Sequence, residues 1–280
     1  MKVFKELPKS LLQSAYLSLV PAAKLARSNK PEVPAIVSLT SIPSRLPTLH
    51  IVIKSLLNQT HRPKKILLWL NNDLKDCLPA RLAKLESDLF EIRYSELNCS
   101  HRKLIHSLKA YPDDTIITCD DDLIYNKHWL NKIYSQHQKY PNDVIANNAV
   151  QIKIDADGNY SSYKAWREID PNAHQNTYMS IGAWGILYPP HCLSETVFDQ
   201  ALFLSLTPKA DDLWFKGMQL LAGTHVRQSE DRPKEPIPIV FSQKISLKKD
   251  NVNKNKNDEQ WLNLSKHFEL DKILLADKRL

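Results

Sequence analysis

A chain of 280 residues, 42% hydrophobic and 25% charged, can bury a full core as one large domain or two small ones, and that composition excludes disorder throughout. Thirty-eight Lys and Arg against 31 Asp and Glu leave a net charge of +7, which suits an anionic partner: a nucleotide, a phospholipid surface or a nucleic acid. With only five glycines, the chain lacks both G-x-x-x-x-G-K-[ST] and G-x-G-x-x-G, so no Gly-rich cradle holds a phosphate.

Residues 1–33 form a basic segment with an apolar run over 11–20. Gln13, Ser14 and Ser18 interrupt that run, which falls short of the roughly 20 residues that cross a bilayer. It predicts an amphipathic helix, packed on the domain or resting on an anionic membrane face. A secretory leader is the alternative, because Lys2 and Lys5 precede the run. From Pro34 the pattern becomes regular. A strand over 35–40 ends in the loop 41–45, and a helix over 49–59 follows with Leu49, Val52, Ile53, Leu56 and Leu57 at helical spacing. Pro63 closes it. A strand over 65–70 runs into Asn71-Asn72-Asp73, a helix spans 79–89, a short strand 91–94 and a helix 101–111.

The next strand, Thr115-Ile116-Ile117-Thr118-Cys119, delivers Asp120-Asp121-Asp122 to its carboxyl end. Three adjacent carboxylates repel one another. They are tolerable when well solvated or when a cation neutralises them, and hard oxygen donors favour Mg²⁺ or Mn²⁺. A solvated acidic turn is the plainer alternative, but apolar runs clamp the triplet on both sides. Alternating strands and helices specify a mostly parallel sheet covered on both faces. Ligands collect beyond the carboxyl ends of such strands. Residues 40–45, 71–73 and 120–122 therefore converge on one rim.

The second half is less regular. It predicts a helix over 129–140, strands over 144–146 and 150–154, and a hairpin turn over 155–159 with Gly158 left-handed. An EF-hand is excluded there, since the downstream Glu is missing. Residues 180–190 hold Gly182 and Gly185, two of the five glycines, which implies close backbone approach to a ligand or another strand. A helix over 193–206 precedes another that opens on Asp211-Asp212 and runs to 221. First-turn carboxylates often only cap a helix. A strand over 237–241, a polar loop over 248–257, a last helix over 259–268 and a tail over 269–280 complete the chain. The four cysteines lie far apart without zinc-like spacing and read as reduced cytosolic thiols.

The order of strands 36–40 and 66–70, the Asp120-Asp121-Asp122 strand, the Gly182-Ala183-Trp184-Gly185 loop and Ala210-Asp211-Asp212-Leu213-Trp214 resembles a bacterial family-2-like glycosyltransferase of the capsule or lipopolysaccharide type. The resemblance covers residues 34–265. It implies a single α/β domain of the GT-A, Rossmann-like fold over 34–268, with a nucleotide-binding half over 34–125 and an acceptor-binding half over 126–268. By the same resemblance Asp120 and Asp122 hold Mn²⁺ or Mg²⁺ against the donor diphosphate. Thr40, Ser41 and Arg45 form the first nucleotide loop, Asn72 and Asp73 read base or ribose, and Lys103 and Asp121 lie near the donor. Gly182, Trp184 and Gly185 line a donor or acceptor loop. Asp211 or Asp212, with Asp212 preferred, deprotonates the acceptor. A late metal-ligating His is expected in such sequences, and His225 and His267 are the candidates, with His225 taken.

The implied activity is metal-dependent, inverting transfer of a sugar from a nucleotide-sugar donor to a surface glycan or a lipid-linked glycan. The implied place is the cytoplasm, with residues 1–30 near the inner face of the membrane. A sugar-phosphate nucleotidyltransferase is the enzymatic alternative, though residues 38–45 lack the glycine its N-terminal signature normally shows. A non-catalytic carbohydrate-binding domain is the other. No Lys/Arg run interleaved with aromatics marks a nucleic-acid face.

Overall fold

The computed structural model describes residues 2–26, 29–170, 175–240 and 255–276. Its central sheet has seven strands in the order β10-β6-β9-β4-β1-β2-β3: β1 (Glu32–Thr40), β2 (Arg62–Asn71), β3 (Phe90–Ser95), β4 (Thr115–Thr118), β6 (Val144–Ala146), β9 (Ile186–Tyr188) and β10 (Val226–Gln228). All neighbours pair parallel except β9, which runs antiparallel to both β4 and β6. Two small antiparallel pairs flank the sheet, β5 (Leu123–Ile124) with β11 (Ile237–Pro238) and β7 (Ala149–Gln151) with β8 (Tyr178–Ser180).

The near-continuous apolar runs of β1 and β2 arise because the sheet is buried on both faces. Side chains alternate, so Val37, Leu39, Leu68 and Leu70 enter one core while Ile36, Leu67 and Trp69 enter the other. The first core is covered by α1 (Lys2–Leu19), α3 (Leu46–Leu57) and α6 (Trp129–Lys139), with the short α2 (Ala22–Leu25) beside α3. The second is covered by α5 (Arg102–Ala110), α7 (Gln200–Leu206), α8 (Asp211–Leu221) and two C-terminal helices, Lys256–Phe268 and Leu270–Ala276. No helix among the described residues is long and apolar enough to cross a membrane.

Several expected elements differ. The helix expected over 79–89 is only α4 (Ala80–Ala83). Glu86 and Ser87 accept from the backbone N–H groups of Ile92 and Phe90 and pull the chain into β3; short polar side chains compete with helix in this way. The helix expected over 193–206 is broken at Asp199, whose carboxylate caps α7 by accepting from Leu202 N at 3.0 Å. The strand expected over 150–154 stops at Gln151, and Ile154 keeps one bridge, to Tyr160. The turn between them is the expected one, with Gly158 at φ +86° and Asp155 accepting from Asp157 N and Asn159 N. The strand expected over 237–241 is the two-residue β11, and Phe241 lies outside the described residues. So does most of the polar run over 248–257; its end already belongs to the helix from Lys256. Residues 269–276 are not a tail. Glu269 in the left-handed region turns the chain into a helix that buries Leu270 and Leu274 completely.

Candidate active site

The last ladder bond of β4 runs from Cys119 N to Ser38 O at 3.1 Å, after which the chain leaves the sheet at its carboxyl rim. Asp121 and Asp122 turn toward the end of β1. Ser41 Oγ donates to Asp121 Oδ2 at 2.6 Å, Arg45 Nη1 pairs with Asp121 Oδ1, and Arg45 Nη2 lies 3.0 Å from Asp122 Oδ2. Asp120 turns the other way, to Lys103 Nζ at 3.2 Å. Its side chain is 32% exposed, against 5% and 11% for Asp121 and Asp122, so Asp120 is the carboxylate that faces the open rim. Tyr125 fixes the turn: its hydroxyl accepts from Asp120 N at 2.8 Å and donates to Ala183 O at 3.1 Å.

The first turn of α5 ties this half of the rim to the other. Arg102 donates to Thr40 Oγ1, to Ser41 O at 2.6 Å and to Leu97 O at 3.0 Å. Lys103 Nζ, buried beneath the rim, is 3.2 Å from Asp120 Oδ1 and 3.1 Å from Asp211 Oδ2. Ser100 Oγ donates to the other oxygen of Asp211 at 2.8 Å. Asp212, next along α8, accepts instead from Gly182 N at 3.0 Å. Asp120 and the Asp211–Asp212 pair, some ninety residues apart, therefore meet across one ammonium group.

That environment pushes the two α8 carboxyls apart. Burial opposes ionisation of Asp211, but the Lys103 ammonium and the Ser100 hydroxyl outweigh it and hold the group below the usual carboxylate range. Burial and the adjacent Asp211 charge raise Asp212 to about 7. Lys103 is held well above the ordinary lysine value: burial works against its charge, and Asp211, Asp120 and Asp212 more than restore it. Burial raises Asp122 to about 7 despite Arg45 and keeps the His101 ring neutral, down to about 4. Two neighbouring carboxyls with separated proton affinities form the pattern of an acid–base pair.

The glycine loop closes the rim from the β9 side. Trp129 Nε1 and Asn147 Nδ2 both donate to Trp184 O, at 2.7 and 3.1 Å, and the Trp184 ring is half-buried. Gly185 has φ +98°, and a Cβ there would stand 2.6 Å from Trp129 Cζ2. The close approach expected of these glycines is thus to protein: Trp129 at Gly185 and the Asp212 carboxylate at Gly182. Gly185→Ala should lower unfolding free energy by about 2–4 kcal/mol through left-handed strain and the indole clash together, measured by urea denaturation. A change within error would mean that the loop relaxes freely.

Not every expected residue joins the cluster. Asn72 and Asp73 sit on a 3-10 turn at the end of β2, two strands from β4 on the same rim, and Asn71 rather than Asn72 organises that turn by accepting from Asp73 N. His225 is corrected outright. It precedes β10, which runs parallel to β6 and level with Val144, so it stands at the amino edge of the sheet. From Asp120 that is about 15 Å along the strands alone. His267 is exposed on the C-terminal helix Lys256–Phe268. Ser100, Arg102, Tyr125, Trp129 and Asn147 were not anticipated. Ser100 and Arg102 flank a helix start that faces a strand-end cluster, which was the one signal available for them.

No group of three or more His, Cys, Asp or Glu among the described residues forms a metal cage. Asp120 is the carboxylate open to a cation, while Asp121 and Asp122 are turned onto Arg45. Asp120, Asp121, Asp122, Asp211 and Asp212 outnumber Arg45, Arg102 and Lys103, and Mg²⁺-type ions are usually held by one or two carboxylates and completed by substrate phosphates.

The fold and this acidic rim define an α/β enzyme of GT-A, Rossmann-like architecture built as a single domain. Residues 44–193, more than half of the chain, match glycosyl transferase family 2, and the chain belongs to that family. It is a glycosyltransferase in the general sense, with a nucleotide-sugar donor and a glycan acceptor. No curated protein matches the sequence. Among solved structures, 4-diphosphocytidyl-2C-methyl-D-erythritol synthase from Anaerococcus prevotii is similar at a TM-score of 0.43 and 15% identity, over 84% of this chain and 98% of that one.

Proposed function

We propose that the chain catalyses metal-dependent, inverting transfer of a sugar from a nucleotide-sugar to a hydroxyl of a surface glycan of the capsule or lipopolysaccharide kind, lipid-linked while it grows. The observation that carries this reading is the meeting of Asp120 with an Asp211–Asp212 pair whose proton affinities are pushed apart. Asp120 and Asp122 would hold Mn²⁺ or Mg²⁺, and a cation bound there supplies neutralisation of the charge that develops on the leaving diphosphate. Arg45 and Ser41 hold Asp121 and Asp122 in position, and Lys103 holds Asp120. Thr40 and Asn72 lie on the rim where the nucleotide would rest, and the sugars would lie by the loop of Gly182 and Trp184, which Gly182 N ties to Asp212.

Asp212 is the base. Its Oδ2 is fixed by Gly182 N, so Oδ1 takes the acceptor's proton as the hydroxyl oxygen bonds to the anomeric carbon and the bond to the diphosphate breaks. Asp211 stays ionised, locked by Lys103 and Ser100, and its charge keeps Asp212 basic enough to act near neutral pH. A nucleotidyltransferase has no use for that arrangement, because a sugar phosphate attacks as an anion already deprotonated.

A panel of nucleotide sugars, with and without Mn²⁺, tests the reading. Nucleoside diphosphate should appear with at least one donor only when the cation is present. Pyrophosphate release from a nucleoside triphosphate and a sugar 1-phosphate would support the nucleotidyltransferase instead.

A further inference from the structure

Of the six large hydrophobic side chains that the described residues leave exposed, four lie on α1: Leu11, Leu12, Tyr16 and Leu19. Leu12 and Leu19 are 73% and 83% exposed. Leu12, Tyr16 and Leu19 are spaced by four and three residues and form one stripe. The opposite side of the same helix is already used. Leu17 is buried against the domain, and Ser10 Oγ donates to Pro238 O at 2.6 Å. At the end of the helix, Lys54 Nζ caps Ser18 O and Val20 O at 3.0 and 2.9 Å. The helix is therefore fastened by one face, and the outward stripe is a separate feature.

Charge selects what covers it. Residues 1–30 contain Lys2, Lys5, Lys9, Lys24, Arg27 and Lys30 against Glu6 alone, so they carry most of the net charge of +7. Lys9 and Lys24 are exposed. A second copy of this chain would bring those cations against themselves across a two-fold axis, which repels. A surface of acyl chains under anionic headgroups satisfies the stripe and the cations together. We infer that the outward face of α1 docks the enzyme on an anionic phospholipid bilayer.

The place of α1 in the fold gives the docking a use. Pro238, which accepts from Ser10, pairs with Leu123 in the strand just after the triplet, and Ile239 N donates to Asp122 O at 2.9 Å. α1 would then stand between the bilayer and β11, the strand that abuts the Asp120–Asp122 turn.

Co-sedimentation of the full chain with vesicles tests this. The chain should pellet with vesicles of equal parts phosphatidylcholine and phosphatidylglycerol and stay in solution with phosphatidylcholine alone, and added salt should release it. Leu12→Glu with Leu19→Glu should weaken the anionic-vesicle partition by about tenfold or more while leaving thermal unfolding unchanged, as both side chains are outside the core. Lys9→Glu with Lys24→Glu should abolish the preference for phosphatidylglycerol. Three results would each overturn the inference: no pelleting with anionic vesicles, equal pelleting of the Leu12/Leu19 variant, or a wild-type dimer in solution that this variant dissociates. None of these readouts depends on the sugar-transfer reaction.

Discussion

Asp212→Asn should lower transfer about a thousandfold, within the range that a positioned general base contributes, and leave donor binding unchanged. Asn keeps the shape of the side chain and can still accept from Gly182 N, so Gly182 and the loop it anchors stay in place. What is lost is the proton acceptor. The pH profile carries a second signature. The base works deprotonated, and burial beside Asp211 raises Asp212 to about 7, so the wild-type rate should climb as pH rises toward about 7 and level off above it. In Asp212→Asn that limb should vanish. In Asp211→Asn it should move to lower pH, because removal of the neighbouring negative charge eases ionisation of Asp212. Transfer rates from pH 5 to 9, with nucleotide affinity from calorimetry on the same proteins, separate these cases. A variant at position 212 that transfers at the wild-type rate would remove Asp212 from the mechanism.

Strand periodicity and the abrupt change from β-branched to acidic residues made the first half of the fold legible in the sequence. β1, β2 and β4 are buried on both faces, so burial wrote itself into their composition, and the parallel topology followed from the helices between them. Where structure depended on single side chains instead, the pattern misled. Asp199 splits an apolar helix, Glu86 and Ser87 stop another, and Leu270 and Leu274 anchor a helix in a segment whose charged composition resembles a tail. The antiparallel strand β9 carries no periodic mark of its direction. It matters, since reversal brings the residues before the strand, Gly182 to Gly185, to the same rim as the residues after β4. His225 shows the opposite error, because nearness in sequence to the Asp211 helix says nothing about which edge of the sheet the next strand starts from. The role of Lys103 was the hardest to foresee. A lysine at a helix start suggests an anionic ligand, whereas here its partners are two carboxylates of the protein.

Lys103→Met follows from that position and should be the most destabilising substitution in the site. The aliphatic stem is retained, so the loss is confined to the ammonium group between Asp120 Oδ1 and Asp211 Oδ2. Its removal leaves Asp211 buried with only Ser100 donating to it, and stranding one member of a buried ion pair costs about 3–5 kcal/mol. A fall in melting temperature on the order of 10 °C is expected for a chain of this size. The pH dependence fixes the sign. Lys103 is raised by its partners, so its contribution is complete below the ordinary lysine value and is lost only as pH climbs through the folded one. Asp211 is lowered, so its contribution is present above the ordinary carboxylate value and is lost as pH falls through the folded one. The gap between wild type and Lys103→Met should then stay constant across neutral pH and narrow in acid. Lys103→Met with Asp211→Asn should recover much of the loss, because the stranded charge goes with its partner. Denaturant unfolding of the four proteins closes this cycle. Equal melting temperatures for wild type and Lys103→Met would show that water, rather than Lys103, carries the charge of Asp211.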